Sequence, residues 1–311
     1  MTNSRKSALI IGASGFIGSH VAQYFSREGW QVAGLGTRPP ENYPLQDLGA
    51  YYQLTLPADE LGDIVRQIQP QVCIHCAGRA SVYHSLQDPL ADFKAHVEIT
   101  LNVLNILRLA APSCRLVFIS SAAVYGNPEM LPVNEDRPLR PISPYGFHKL
   151  MGEQLCTEFH QVYGLPTATV RIFSAYGIGL RRQVLWDICQ KAGHQPVLAL
   201  HGTGLESRDF INVWDVARGI HHLVERAPFQ AEAYNLASGK ETTIEELAKL
   251  VVAFWGGKIP IEFDGVNPQG NPLNWQADIS RISRLGFIPE ITLAKGVKAY
   301  VDWRKIEALE Q

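Results

Sequence analysis

The feature that most constrains this chain is the turn Gly12-Ala13-Ser14-Gly15-Phe16-Ile17-Gly18, which joins an apolar run at 8–11 to an amphipathic stretch at 19–27. A glycine-rich turn that leaves a strand and opens a helix lets the backbone approach a pyrophosphate, and the amides and positive dipole end of the helix then hold the anion. The spacing is G-x-x-G-x-x-G, with Gly12, Gly15 and Gly18 three apart, and the more familiar G-x-G-x-x-G is absent. Tight strand-to-helix turns that hold no ligand share such a pattern, so the rest of the chain has to decide between the two. Phe16 and Ile17 fit as packing residues beneath the turn.

The alternation that follows is that of a parallel sheet with helices on both sides. Strands are predicted at 8–11, 31–35, 51–56, 71–76, 115–120 and 167–173, with helices near 16–28, 59–68, 90–110 and 145–163. Past Phe173 the pattern loosens. A helix near 181–193, a short strand at 196–200, a turn at 201–204, a strand at 209–213, a helix at 214–226, a strand-like piece at 233–236 and a helix at 243–255 precede a Pro- and Gly-rich stretch at 256–272. The expected fold is α/β, a Rossmann-type doubly wound parallel sheet with a smaller C-terminal α/β substrate domain. Residues 1–173 form the dinucleotide-binding domain and 174–311 mainly the substrate domain, with 208–236 packing back on the first.

Composition narrows the function. At 311 residues, 46% hydrophobic and 19% charged, the chain can bury a large core, and its net charge of −2 offers no general attraction to nucleic acid or anionic lipid. No apolar run reaches the roughly 18 to 20 residues that span a bilayer, and the polar start at 1–7 lacks the form of a signal peptide. The expectation is a cytoplasmic protein with neither a membrane nor a nucleic acid polymer as partner. Five cysteines in so long a chain argue against a disulfide framework. Cys73 and Cys76 spell C-x-x-C within a predicted strand, where residues three apart face opposite ways. His75, His84, His96, His148, His201, His221 and His222 are scattered over separate elements. No metal site is expected.

The end of the second strand bears on the choice of dinucleotide. An acid there accepts from the ribose 2′-hydroxyl of NAD, whereas an arginine suits the 2′-phosphate of NADP. The strand ends Gly34-Leu35-Gly36-Thr37-Arg38, with no acid before Glu41. Thr37 and Arg38 therefore favour NADP over NAD; the alternative is that Arg38 is a solvated loop residue and NAD binds without an acidic partner. Chemistry enters at Ser143-Pro144-Tyr145-Gly146-Phe147-His148-Lys149, where Pro144 marks a helix start and Tyr145 and Lys149 share a helical face. A neighbouring ammonium and a cationic nicotinamide both favour the phenolate, so Tyr145 can exchange a proton with a sugar hydroxyl while hydride moves at the carbon bearing it. Lys149 would also hold the cofactor ribose. The run at 116–126 ends a strand at its carboxyl edge, and a serine there can orient the same oxygen.

With these motifs in this order, the chain resembles the extended short-chain dehydrogenase/reductases, and within them the NAD(P)-dependent epimerase/dehydratase family acting on nucleotide sugars. The resemblance runs from the turn at 12–18 through His75-Cys76-Ala77-Gly78, 120–126, 143–149, Arg208-Asp209-Phe210-Ile211-Asn212-Val213 and 234–239 to Leu285-Gly286-Phe287 and Asp302-Trp303. It implies Ser121, Tyr145 and Lys149 as the catalytic triad. It places Gly12, Ser14, Gly15, Phe16, Ile17, Gly18, Thr37, Arg38, Ala77, Gly78, Tyr145, Lys149 and Phe173 around the cofactor. The implied partner is a nucleotide-diphosphate sugar, met by His84, Ser121, Ala122, Tyr125, Ser174 and Arg208, with Arg208 at the diphosphate or sugar end. The helices near 90–110 and 145–163 are the pair through which relatives dimerise, so a homodimer is expected, the alternative being that their outer faces are solvated.

Departures from the family pattern narrow the reaction. Dehydratases and decarboxylases of this type carry acids just after the catalytic Ser or Thr, where this chain has Ala122 and Ala123, and a methyl group delivers no proton to a leaving hydroxyl. Ser121-Ala122-Ala123-Val124-Tyr125-Gly126 looks instead like sugar 4-epimerases and some 4-keto reductases. Ser174 stands where many relatives have Asn, and Asn267-Pro268-Gln269-Gly270 where many 4-epimerases have Arg, which leaves the sugar donor open. The leading expectation is a sugar 4-epimerase, with an NADPH-dependent 4-keto-sugar reductase as the alternative. A non-catalytic NADP-binding regulator comes third, because Ser121, Tyr145 and Lys149 are all retained.

Overall fold

The computed structural model describes residues 6–39, 48–266, 270 and 272–309. The first half runs β1 (Ser7–Ile11), α1 (Phe16–Arg27), β2 (Gln31–Gly36), β3 (Ala50–Gln53), α2 (Glu60–Ile68), β4 (Val72–His75), α3 (Val82–Gln87), α4 (Pro89–Phe93), a π-helical turn (Lys94–Glu98), α5 (Ile99–Ala110), β5 (Arg115–Ser121), a 3₁₀ turn (Ala122–Tyr125), α6 (Pro144–Tyr163) and β6 (Thr167–Ile172). The second half continues with β7 (Ser174–Tyr176), α7 (Gln183–His194), β8 (Leu198–Leu200), β9 (Ser207–Asn212), α8 (Val213–Arg226), β10 (Gln230–Leu236), β11 (Glu241–Thr243), α9 (Ile244–Trp255), β12 (Ile261–Phe263), α10 (Ser280–Ser283) and α11 (Leu293–Leu309).

Seven strands form one parallel sheet in the order β3-β2-β1-β4-β5-β6-β10. Strand parity assigns each side chain to a face. Ala8 and Ile10 of β1 join Val21 and Phe25 of α1 and Ile220 and Leu223 of α8 on one side. Leu9 and Ile11 join Leu61 of α2, Leu104 of α5 and Phe159 of α6 on the other. Chain order reverses between β1 and β4, and such a switch point opens a crevice at the carboxyl ends of the strands. The fold is the Rossmann-type doubly wound α/β arrangement expected.

The second half does two things. β10 extends the main sheet beside β6, and α8 packs against α1. The remainder builds another apolar cluster from Leu185 and Ile188 of α7, Leu247 and Val251 of α9, and Val297 and Tyr300 of α11. It carries a small β11-β9-β7 sheet and a β12-β8 pair. Among the described residues, no helix is long and apolar enough to cross a membrane.

The elements differ from the expected spans in instructive places. The strand expected at 51–56 stops at Gln53, after which the Leu54 amide donates to the Gly36 carbonyl (2.9 Å). The single helix expected near 90–110 is broken by the π-helical turn, where the Thr100 hydroxyl donates to the His96 carbonyl (2.5 Å) and the His96 ring bonds the Arg79 carbonyl (2.9 Å). α3, β7, β11, β12, α10 and α11 had no predicted counterpart. The three strands are only three residues each, too short for a periodicity of two to show.

Candidate active site

The turn after β1 is made by backbone contacts on all sides. Gly12 has φ of +85°, and the amides of Gly12 and Ala13 both donate to the Leu35 carbonyl at the end of β2 (2.8 and 2.9 Å). A Cβ on Gly12 would lie 2.7 Å from the Ala77 amide nitrogen, and one on Gly18 would lie 2.2 Å from the Gly12 carbonyl oxygen. Any side chain there would push the turn, α1 and the loop after β4 apart. Gly15 is the N-cap of α1, no side chain caps the first turn, and no acid lies in it. Uncapped amides at the positive end of a helix, reached across glycines, fit the pyrophosphate of a dinucleotide.

Around that cradle the other residues of the expected cofactor set are placed by packing. Ser14 is buried, and a Cβ on Gly36 would come within 2.4 Å of its hydroxyl. Ile17 packs on the core beside α8, and Phe16 on the cluster of the second half. Thr37 and Arg38 leave their side chains exposed at the end of β2, while the Tyr51 hydroxyl donates to the Arg38 carbonyl (2.8 Å). Ala77 and Gly78 follow β4, and the His96 ring fills the space where a Cβ on Gly78 would be, at 2.6 Å. Phe173 is buried beside Tyr125 and Trp275.

Ser121, Tyr145 and Lys149 converge at the carboxyl end of β5. Ser143 caps α6 by accepting from the Gly146 amide (3.3 Å), and Pro144 takes the first helical position, where its missing N–H loses nothing. The next residue, Tyr145, is 9% exposed, with the Ser121 side chain acting on its hydroxyl. Burial raises its pKa; the polar Ser121 side chain opposes that rise. Lys149 lies a further turn along, 6% exposed, its Nζ donating to the Ile119 carbonyl (2.8 Å) and 5.2 Å from the centre of the Phe118 ring. Burial lowers its pKa to about 8, with Cys76 and Asp92 acting in the opposite direction. A phenol beside a hydroxyl, with a buried ammonium behind, is a unit that can take up and return a proton.

The expected substrate residues fare unevenly. Ala122 is buried as the first residue of the 3₁₀ turn, whose amide at Ala123 donates to Ser121 Oγ (3.2 Å). Ser174 opens β7 and is partly buried. Tyr125 is 1% exposed, and its hydroxyl donates to Asn235 Oδ1 (2.7 Å) while accepting from Arg171 (2.8 Å). Burial raises its pKa to about 12. That leaves it neither surface nor a free hydroxyl for a ligand. His84 lies exposed on α3, where no helix was predicted, with its ring against Tyr83. Arg208 lies over the Trp275 ring (5.5 Å to its centre) and donates to the Ser207 and Leu273 carbonyls (2.8 and 3.1 Å). Burial lowers its pKa to about 10, with Glu206 acting in the opposite direction. Asn267-Pro268-Gln269 lie outside the described residues.

Three residues close to this site were given no place in it from sequence. Trp275 supports Arg208 and donates its indole N–H to the Gly126 carbonyl (3.0 Å). Its only signal was an aromatic residue in a stretch of polar and turn-forming residues. His96 sets its ring edge-on to Tyr145, with centroids 5.4 Å apart, and Asp92 is 3% exposed beside it.

Comparison with known proteins gives the same outline. The family model described as "NAD dependent epimerase/dehydratase family" matches residues 8–237. The chain is similar to a UDP-glucose 4-epimerase of Azospirillum brasilense, 29% identical with 100% of this chain and 94% of that one covered. It is also similar to a UDP-glucuronate 4-epimerase of Thermodesulfobacterium geofontis, 28% identical over 96% and 95% of the two. Among solved structures, a UDP-glucose 4-epimerase of Thermus thermophilus in complex with NAD superposes with a TM-score of 0.87 at 26% identity, covering 96% of this chain and 99% of that one. A UDP-glucuronic acid 4-epimerase variant of Bacillus cereus, complexed with a fluorinated UDP-sugar and NAD, gives 0.87 at 26% identity over 97% and 99%.

Proposed function

As the chain belongs to the NAD dependent epimerase/dehydratase family, we propose that it is a nucleotide-sugar 4-epimerase, inverting C4 of a nucleoside-diphosphate hexose. The observation that carries this reading is Tyr145 placed beside Ser121 with Lys149 buried one turn behind, followed by two alanines where elimination would need an acid. The similarity to 4-epimerases over nearly the whole chain supports it.

In this reading residues 1–173 hold the dinucleotide and residues 174–311 mainly the sugar nucleotide, with α8 and β10 of the expected 208–236 span returned to the first unit and β9 kept in the small sheet of the second. The first-turn amides of α1 take the pyrophosphate. When bound, the nicotinamide supplies the hydride acceptor and donor at the sugar carbon. Tyr145 accepts the proton of the C4 hydroxyl and later returns it, Ser121 orients that oxygen, and Lys149 holds a ribose hydroxyl while its charge favours the phenolate. Arg208 pairs with the donor diphosphate, with Ala122 and Ser174 beside the sugar.

For the dinucleotide we take NAD, which accompanies both solved relatives. Thr37 and the exposed Arg38 support NADP as a second reading, and with it a 4-keto-sugar reductase. We also infer a homodimer through α5 and α6, which expose Leu101, Val162 and Tyr163. The five free thiols support a cytoplasmic location, which cell fractionation tests.

Tyr145→Phe should leave the fold and dinucleotide binding in place and slow interconversion of C4-epimeric nucleotide hexoses by about 10²-fold or more. Near-normal turnover would remove Tyr145 from the reaction. Arg38→Ala should weaken NADP binding more than NAD binding if the second reading holds; equal losses in calorimetric titration would reject it. Sedimentation equilibrium should give twice the 34.5 kDa chain mass, and a monomer at micromolar concentration would overturn the dimer.

A further inference from the structure

Asp92 has no part in the reaction described above, yet it is 3% exposed and lies within reach of the reacting pair. A carboxylate taken out of water is tolerated only where donors surround it. His148 supplies one, its Nδ1 lying 2.6 Å from Asp92 Oδ2; facing a carboxylate, that nitrogen donates. On the other side His96 Nε2 stands 3.6 Å from Asp92 Oδ1. The same nitrogen lies 2.9 Å from the Arg79 carbonyl, so it must carry the proton, and the ring orientation is fixed. Burial lowers the His96 pKa to about 2, so this imidazole is neutral and sets no positive charge against Asp92.

Both imidazoles belong to the machinery around Tyr145. His148 lies on α6 between Tyr145 and Lys149, and the His96 ring meets the Tyr145 ring edge-on. The π-helical turn at Lys94–Glu98 sets the path of the chain from Asp92 to His96 and onward, and irregular turns of this kind recur at functional sites. We propose that Asp92 is a positioning residue for Tyr145 and Lys149, a fixed carboxylate that His148 and His96 lock behind the reacting face of α6. It rests on the reading of Tyr145 as the proton-exchanging group.

The charge acts on both partners in the same sense. It favours the ammonium of Lys149 and opposes the phenolate of Tyr145. Asp92 thereby keeps Lys149 charged against its burial and holds Tyr145 protonated until further positive charge arrives. The other groups acting on Lys149 are Cys76 and His75 from β4, His96 from the π-helical turn, and Glu153 and Cys156 from α6. Ser121 and Arg182 act on Tyr145, both lowering its pKa. Removing Asp92 should therefore move two titrations downward together.

The test is carried out on the full chain, with lysines carrying carbon-13 at Cε and Lys149 followed by NMR across pH in protein free of dinucleotide and sugar. In Asp92→Asn the Lys149 midpoint, near 8 in the parent, should fall by about one pH unit, and Asp92→Glu should restore it. Asp92→Ser serves as a second neutral variant should the amide disturb the fold. In the pH profile of kcat, both limbs should move to lower pH in the neutral variants. A purely structural role would lower the height of the profile and leave the limbs where they are. An unmoved Lys149 midpoint in a folded neutral variant would overturn the proposal. Because that midpoint is read without substrate, it stands or falls separately from the nucleotide-sugar reading.

Discussion

The structure depends most on one buried guanidinium. Arg171 of β6 donates to both carboxylate oxygens of Glu153 on α6 (2.8 to 3.2 Å), to the Tyr125 hydroxyl (2.8 Å) and to the Glu135 carbonyl (3.0 Å). Glu153 also accepts from Ser120 at the end of β5 (2.6 Å), and Tyr125 passes the network to Asn235 of β10. A buried ion pair contributes little net stability, because desolvation offsets its attraction; what it supplies is an arrangement with few alternatives. Here it ties α6, β5, β6 and β10 together directly behind Ser121, Tyr145 and Lys149. The strand returning from the second half of the chain thus helps to fix the reacting face of the first.

That frame explains the electrostatics of the site. Lys149 and Tyr145 are both driven by burial toward their neutral forms, a poor starting state for a pair meant to exchange a proton near neutrality. The Ile119 carbonyl, which accepts from the ammonium, and Ser121 beside the phenol oppose these tendencies, while Asp92 favours the charged lysine and the neutral phenol. Because the partners sit on a strand end and a capped helix, they are held without a further ordering step at the moment of reaction.

How much of this was legible in sequence follows from what kind of signal each part leaves. The glycine turn, the buried strands and Tyr145 with Lys149 are local patterns, and each occupies the place expected of it in the parallel sheet. Their catalytic and cofactor roles remain proposals. At the π-helical turn the His96 ring meets the Arg79 carbonyl, 17 positions back, which no helical periodicity encodes. Asp92 looked like an ordinary residue of a helix start, and its burial becomes visible only when α4 lies against His148. Tyr125 sits in a pocket-like motif, yet its hydroxyl is taken by Arg171 and Asn235, residues 46 and 110 positions away. Contacts of that separation leave no trace in a single sequence.

The central claim, that hydride leaves and returns to C4 of one sugar within one site, is tested most directly with a nucleoside-diphosphate hexose carrying deuterium at C4. At equilibrium both C4 epimers should retain the label at C4, with no deuterium in water and no net change in reduced dinucleotide. Loss of the label, exchange at C5, or consumption of reduced dinucleotide in step with product would contradict the account.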